Sequence, residues 1–329
     1  MKKKELERNS SIQILRIIAC ILVFMVHFGQ RLEFKDIAKL ITDFGMYGVH
    51  LFFIISGFLA VKSLNKKEKI STYYIKRIIS VLVLYYLVII WYFITENKLH
   101  ATLAHIPVDI KKLNWLRYIY LLNGFIESDT YFWSNLGMTW TIPIFMFFYL
   151  IVPYILKIIK NHKYAFVLML VVYHLSTYLN GIYPCPIFEN IYYFFIGIYI
   201  YFAFKDKKLK SCAVIFIIKS IYCSVIGVVN YYFIFASLIA ILIEKDLKLK
   251  SPIKNIINKL DEYTYTMYLV HGIIFCSVID KLTLFKIVLP NFVIGVLAIG
   301  LSIIFTILIH DYIEKPIQLF LKRRFVKTS

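Results

Sequence analysis

The chain has 329 residues, of which 60% are hydrophobic and only 17% charged, with a net charge of +19. Soluble domains carry about a quarter charged residues and about half apolar ones, whereas the mean hydropathy here is +0.72. These figures exclude a soluble enzyme, a disordered chain and a secreted disulfide scaffold, and the five cysteines fall mostly inside apolar runs as small hydrophobes.

Ten apolar stretches follow one another, at about 12–29, 44–62, 73–95, 137–156, 164–180, 187–204, 211–226, 229–243, 263–280 and 287–313. A helix crossing a bilayer needs about 20 mostly apolar residues. The pattern therefore predicts an all-α, polytopic integral membrane protein with about ten transmembrane helices. The first stretch follows Met1-Lys-Lys-Lys, but no small-residue cleavage site ends it and Arg16 interrupts its start, so it reads as a retained helix. The seventh and eighth form one run broken at Gly227 and Asn230, and each half is short for a bilayer.

Basic residues give the expected orientation. With the N-terminus in the cytoplasm, 27 of the 38 Lys and Arg fall in cytoplasmic segments and nine in outer ones. That is the bias of the positive-inside rule, and it puts both termini in the cytoplasm. The same charges sit in short clusters with no continuous basic face, which argues against a nucleic-acid partner. The longest outer segment, about 96–136, contains Leu113–Phe125, where Trp115, Tyr118, Leu121 and Leu122 share a helical face beside Lys111, Lys112 and Arg117. It reads either as an interfacial helix on the outer leaflet or as a structured loop. Residues 1–329 are expected to form a single membrane domain, with no internal repeat or appended soluble domain visible in the sequence.

An ionisable side chain within a span costs free energy, so those present are candidates for function. The first stretch holds Arg16 and His27. Eleven residues at about 100° each return to within about 20° of the same face, and the axial separation is roughly 16 Å. A cation near the cytoplasm with an imidazole deeper in suits a long anionic ligand held at one end and acid–base chemistry at the other. A snorkelling Arg and an interfacial His would show the same spacing. His271 lies mid-span one turn beyond Tyr268, and His50 lies at a depth where it could pair with His27. Ser56 and Gly57 either bind substrate or allow close helix packing. His174, His310 and Lys219 read as structural, and His100, His105 and His162 as solvated. No spacing resembles a metal site, and no Gly-rich phosphate loop follows a strand.

The stretch from Arg8 through Arg16 to His27 resembles the opening of the membrane acyltransferase-3 family, with its Arg, ten residues and His on the first helix. Gly48-Val-His-Leu-Phe-Phe-Ile-Ile-Ser-Gly-Phe-Leu59 is similar to that family's second helix, and Lys76-Arg77-Ile78 to its basic motif. Trp140-Thr141 with Phe148-Tyr149 and Pro153, then Tyr268-Leu-Val-His271, then Glu314-Lys-Pro316, resemble later family motifs in family order. Three positions depart from the pattern. Ser80 stands where many members have a second Arg, Phe145 and Met146 where many carry an acid, and His50 where the residue is often acidic.

The resemblance implies a bacterial O-acyltransferase, most often an O-acetyltransferase, in the cytoplasmic membrane. It would move an acyl group from cytoplasmic acyl-CoA, a co-substrate and not a bound cofactor, to a sugar hydroxyl of a surface polysaccharide or its lipid-linked precursor. Arg16, Lys76 and Arg77 would hold the donor. His27 would be general base or transient acyl carrier, with Arg16 beside it in the catalytic pair. His50, Ser56, Trp140, Tyr149 and His271 are candidates for contact with substrate. The other reading of buried His and Arg in a polytopic bundle is a transporter or exporter of a small solute or glycan. No matched pair of Gly/Pro-broken helices supports it.

The topology is testable directly. Reporter fusions at Lys66, Lys208 and Lys254 should report cytoplasm, and fusions at Lys111 and Tyr183 the outside. Opposite sides for Lys208 and Lys254 would make residues 211–243 a single span and invert everything after it.

Overall fold

In a bilayer every backbone N–H and C=O must be satisfied within the protein, which leaves helices as the solution for an apolar chain of this kind. The computed structural model describes residues 9–32, 39, 42–64, 69–99, 115–126, 136–225, 232–245 and 247–326. Among them the regular structure is helical throughout. The chain runs through α1 (Ser10–Leu32), α2 (Tyr47–Leu64), α3 (Ile70–Leu99) and the short α4 (Trp115–Ile119). It continues through α5 (Thr141–Ile155), α6 (His162–Ile182), the short α7 (Pro186–Asn190) and α8 (Tyr192–Lys205). Then come α9 (Leu209–Val225), α10 (Tyr232–Lys245), α11 (Ser251–Leu284), α12 (Asn291–Ile309) and α13 (Lys315–Phe325). A single π turn, His310–Glu314, joins the last two.

This is an all-α, polytopic membrane protein, and each of the ten apolar stretches overlaps a described helix. Among the described residues seven helical segments are long and apolar enough to cross a bilayer. The helices α9, α10 and α11 are not among them. The described parts of α9 and α10, 17 and 14 residues, measure about 26 and 21 Å, and residues 226–231 between them lie outside the described ones. Helix α11 has the opposite character. Its 34 residues begin well before the apolar stretch 263–280, because a polar first third can hydrogen-bond in a helix as well as an apolar one.

The outer segment also differs from expectation. Leu113 lies outside the described residues, and the helix expected through Phe125 stops at Ile119. Leu121 adopts a φ of 57°, which a helix cannot continue through. The segment is held to the bundle instead. Tyr85 donates its hydroxyl proton to the Tyr118 carbonyl (2.8 Å) and Tyr86 to that of Ile119 (2.9 Å).

Packing follows small residues. Helices α2 and α8 approach so closely that a Cβ on Gly57 would collide with the Phe194 carbonyl, and one on Gly197 with the Ile54 carbonyl. This small-residue contact drives helix association where lipid is as apolar as leucine. Around it Phe53, Phe58, Phe148 and Phe194 are fully buried, and Phe148 stacks on Phe194 at 4.2 Å between ring centroids. At the cationic end of the bundle, Asp206 accepts from the backbone N–H of His162 (2.9 Å) and meets its Nδ1 at 2.7 Å. Burial raises the Asp206 pKa, but the His162 contacts outweigh it and hold the carboxyl below its ordinary value.

Gly57→Val should force α2 and α8 apart at a cost of about 1–3 kcal/mol, the usual range for overpacking. The thermal midpoint in detergent should fall accordingly. Gly181→Ala, where an added Cβ meets nothing within 4 Å, should leave it near wild type.

Candidate active site

Two stripes of side chains meet along the bundle. On α1, Gln13, Arg16, Cys20, Phe24 and His27 recur at intervals of three or four residues. On α11, Asp261, Thr264, Tyr268 and His271 do the same, so each set occupies one helical face. Their contacts climb both helices together. Gln13 Nε2 donates to Asn258 Oδ1 at 2.8 Å, and Arg16 Nη1 lies 2.8 Å from Asp261 Oδ1. Arg16 Nη2 donates to Thr264 Oγ1 at 3.2 Å, and the His27 and His271 ring centroids are 5.3 Å apart. The two helices are therefore parallel. The Asp261 side chain is buried, at 6% exposure, and that of Arg16 is half-buried. Either charge alone in such surroundings would cost several kcal/mol, so the pair holds the two stripes in register.

A cavity of about 710 Å³ opens beside this seam, within the size range of small-molecule sites. Gln13, Arg16, Asp261, Thr264 and Tyr268 line one wall, and Ser56, Arg77, Tyr149 and Thr141 the facing one. Phe52, Ile142 and Phe145 make its apolar surface. Along α11 the cavity reaches Tyr268, and along α1 it reaches Arg16. At that inner end Tyr268 donates to the Met138 carbonyl (2.8 Å), so Thr141 donates in turn to the Tyr268 oxygen (2.9 Å). The seal is buried and hydrogen-bonded.

The π turn supplies a further acidic wall. Glu314 Oε2 accepts from Thr266 and lies 3.0 Å from His310 Nδ1, while Gln318 donates to Oε1 at 2.9 Å. His310 and Glu314 are both buried and both line the cavity. Single π turns inside helices recur at functional sites because they turn side chains out of the α register.

A second groove of about 390 Å³ adjoins the first, sharing Ser63, Arg77, Ser80 and Lys322 with it. Lys76, Tyr73 and Val326 complete it, and none of its described lining residues is acidic. Arg77 lies over two aromatic rings, 4.8 Å from the Tyr149 centroid and 5.3 Å from that of Tyr73. Rings fix a guanidinium through its quadrupole attraction without neutralising it. Three cations thus converge on one groove, a fit for phosphates or carboxylates.

The residues expected from sequence divide between these places. Arg16, Arg77, Ser56 and Tyr149 line the main cavity, and Lys76 lines the adjoining groove. His27, His50, Trp140 and His271 are not among the lining residues. His271 and His27 stand beyond the Tyr268–Thr141 seal. The sequence left open a pairing of His27 with His50; in the structure the His27 ring lies against that of His271, because α1 runs along α11 in register. His50 projects toward α8 and its ring lies 4.3 Å from that of Tyr193. Trp140 closes the 3₁₀ turn before α5 and faces Phe53 at 6.1 Å.

Sequence reasoning missed Asp261, Thr264, Gln318 and Lys322, and took His310 as structural. The stripe 261, 264, 268, 271 carries its own helical spacing, but its first member precedes the apolar stretch 263–280. His310 and Glu314 are four apart, a spacing that puts two helical residues on one face.

A family model described as an acyltransferase domain, Acyl_transf_3, matches residues 9–311, nearly the whole chain. No curated protein and no solved structure matches the chain significantly.

Asp261→Asn keeps the shape of the seam but strands the Arg16 charge. It should lower stability by about 1.5–3 kcal/mol, the range for hydrogen bonds to charged groups. Much of that loss should return in Arg16→Gln/Asp261→Asn, and a thermal double-mutant cycle in detergent measures the coupling.

Proposed function

The chain belongs to the acyltransferase-3 family, and we propose that it transfers an acyl group, most often acetyl, from cytoplasmic acyl-CoA to a sugar hydroxyl. The acceptor is part of a surface polysaccharide or its lipid-linked precursor, and the site is the bacterial cytoplasmic membrane. One observation carries this reading. A groove with three cations adjoins a cavity that runs to a hydroxyl seal, and two histidines stand on the far side of that seal.

Acyl-CoA has matching parts in the same order. Its phosphates suit Lys76, Arg77 and Lys322, where guanidinium and ammonium donors give charge-assisted hydrogen bonds. The pantetheine arm alternates amides with methylenes, as the cavity alternates polar residues with Phe52, Ile142 and Phe145. Arg16 is ion-paired with Asp261 and donates to Thr264, yet a guanidinium has five N–H groups and others serve a ligand in the cavity it lines. The thioester then comes to Thr141 and Tyr268, toward His27. In direct transfer His27 takes the acceptor's hydroxyl proton as general base. The acceptor oxygen bonds the acyl carbon, the C–S bond breaks, and the CoA thiolate leaves and receives the proton that His27 took, which restores the neutral imidazole. In the two-step alternative the His27 ring carries the acyl group between donor and acceptor.

The test uses the protein in proteoliposomes with acyl-CoA and a glycan acceptor, reading thiol release and ester formation together. His27→Gln should abolish both at normal protein level, since general-base assistance alone is worth about 10²–10⁴-fold. Arg77→Gln and Lys322→Gln should raise KM for acyl-CoA with kcat nearly unchanged. Wild-type rates from intact His27→Gln protein would end the catalytic assignment. Movement of labelled glycan without thiol release would replace acyl transfer by transport.

A further inference from the structure

The acyl-transfer reading gives His27 a proton to take but does not say what sets its tautomer. In a neutral imidazole one nitrogen carries the proton and the other the lone pair, and the partner of the first decides which way the second faces. The residue against His27 is His271. It is 1% exposed, and its Nδ1 lies 2.9 Å from the Met267 carbonyl of the preceding turn. A carbonyl only accepts, so Nδ1 carries the hydrogen. In the neutral ring Nε2 is then a bare lone pair. That Nε2 is buried and has no hydrogen-bond partner among the described residues.

Buried acceptors without partners are rare enough to need a reason. Among the described residues three rings approach His271. Helix α1 presents His27 and Phe24, with ring centroids 5.3 and 5.5 Å away. Its own helix presents Tyr268 at 6.2 Å, whose hydroxyl is committed to Met138 and Thr141. The turn before α5 presents Met138 against Gly272. The nearest carboxylate on either stripe, Asp261, lies about 15 Å down the helix axis and is held by Arg16. Two imidazoles joined by an N–H···N bond of about 2.9 Å have their centroids about 5.3 Å apart, which is the separation found. The separation of the two rings therefore leaves room for that bond without a shift of either helix.

We propose that His271 is the positioning partner of His27, its Nε2 lone pair accepting the N–H of His27. The assignment rests on the acyl-transfer reading above. That bond turns the other His27 nitrogen, with its lone pair, toward the acceptor hydroxyl. When His27 takes the hydroxyl proton and the acceptor oxygen bonds the acyl carbon, the resulting imidazolium keeps its N–H on His271. The bond strengthens because its donor is now charged. His271 gains and loses no proton over the cycle. A neutral acceptor performs there what a carboxylate performs in other histidine dyads, and it does so without burying a second charge in the bilayer.

The experiment compares three variants of residue 271 in proteoliposomes with acyl-CoA and acceptor. His271→Gln carries an amide oxygen to about the position of Nε2, His271→Asn stops short of it, and His271→Met fills the space without an acceptor. The Asn and Met variants should lose about 30-fold in kcat, part of the general-base factor of about 10²–10⁴, at unchanged KM for both substrates. Their acid limb of kcat against pH should move to lower pH, because the His27 imidazolium has lost a hydrogen bond that favoured the charged form. The Gln variant should recover most of the kcat and return the limb toward wild type. A packing role would change folded yield and thermal midpoint and leave the limb in place. Equal kcat and equal limbs for Gln and Asn, with His27→Gln inactive, would overturn the pairing while sparing the acyl-transfer reading. Activity in His27→Gln itself would remove that reading and the pairing with it.

Discussion

The ion pair between Arg16 and Asp261 is the constraint on which the rest of this bundle hangs. A charge in the hydrocarbon region is tolerated only where something compensates it, and these two compensate each other at 2.8 Å. Sliding α1 by one turn, about 5.4 Å, would separate them and strand both. The pair therefore sets the axial register of α1 on α11, and register decides everything above it. Seven residues beyond Thr264 comes His271, eleven beyond Arg16 comes His27, and the two rings meet. Helix α2 then packs on the other side of α1 through Gly48, where any Cβ would strike the Ala19 carbonyl. One electrostatic contact and one close approach position three helices around a single cavity.

Much of this was legible in the sequence, for reasons that also explain what was not. Apolar length marked where helices lie, because burial of the backbone leaves a bilayer chain no alternative to the helix. The stripe on α1 was visible because both of its landmarks lie inside one apolar run. Its partner was hidden. Asp261 precedes the apolar stretch 263–280, so hydropathy assigned it to a loop, whereas the helix begins at Ser251 and carries it inward. His50 shows a different limit. Depth along a helix can be read from position, but azimuth relative to a neighbour depends on which helices are adjacent, and His50 turns to Tyr193 on α8. Nor could α4 be bounded from its pattern. Its helical face runs past Leu121, yet backbone bonds from Tyr85 and Tyr86 and a positive φ end the helix earlier.

The departures from the family pattern acquire a physical setting. Ser80 stands where a second Arg is common, and in the structure it shares its groove with Lys322 from α13. The groove keeps three cations although α3 supplies only Lys76 and Arg77. Lys322 is in turn tied to Gln318 at 3.0 Å, and Gln318 to Glu314 at 2.9 Å. The cation that stands near Ser80 is thus braced through the π turn. Phe145, where an acid is common, packs against Phe53 and Phe194 at ring separations of 5.0 and 5.3 Å. An ionised carboxylate among those rings would lack a partner, so the aromatic neighbours and the missing acid belong to one choice.

The distribution of polar groups along the cavity argues where chemistry is possible. At the end bearing Lys76, Arg77 and Lys322, charges lie close to water, where an anionic ligand exchanges one set of hydrogen bonds for another at modest cost. Farther in, charge is permitted only in closed sets, namely Arg16 with Asp261 and Glu314 with Thr266, Gln318 and His310. At Tyr268 and Thr141 the hydroxyls satisfy each other and Met138. Nothing there offers a charge to a ligand. A group that is neutral, compact and attached to a long polar arm is what such a gradient accepts at its inner end. An acyl thioester meets that description and its phosphates do not. Beyond the seal the polar side chains on the seam are imidazoles, which take up a proton and release it without a permanent charge. Reaction at the seal therefore needs no ion to cross the bundle, only the neutral end of one substrate to reach it.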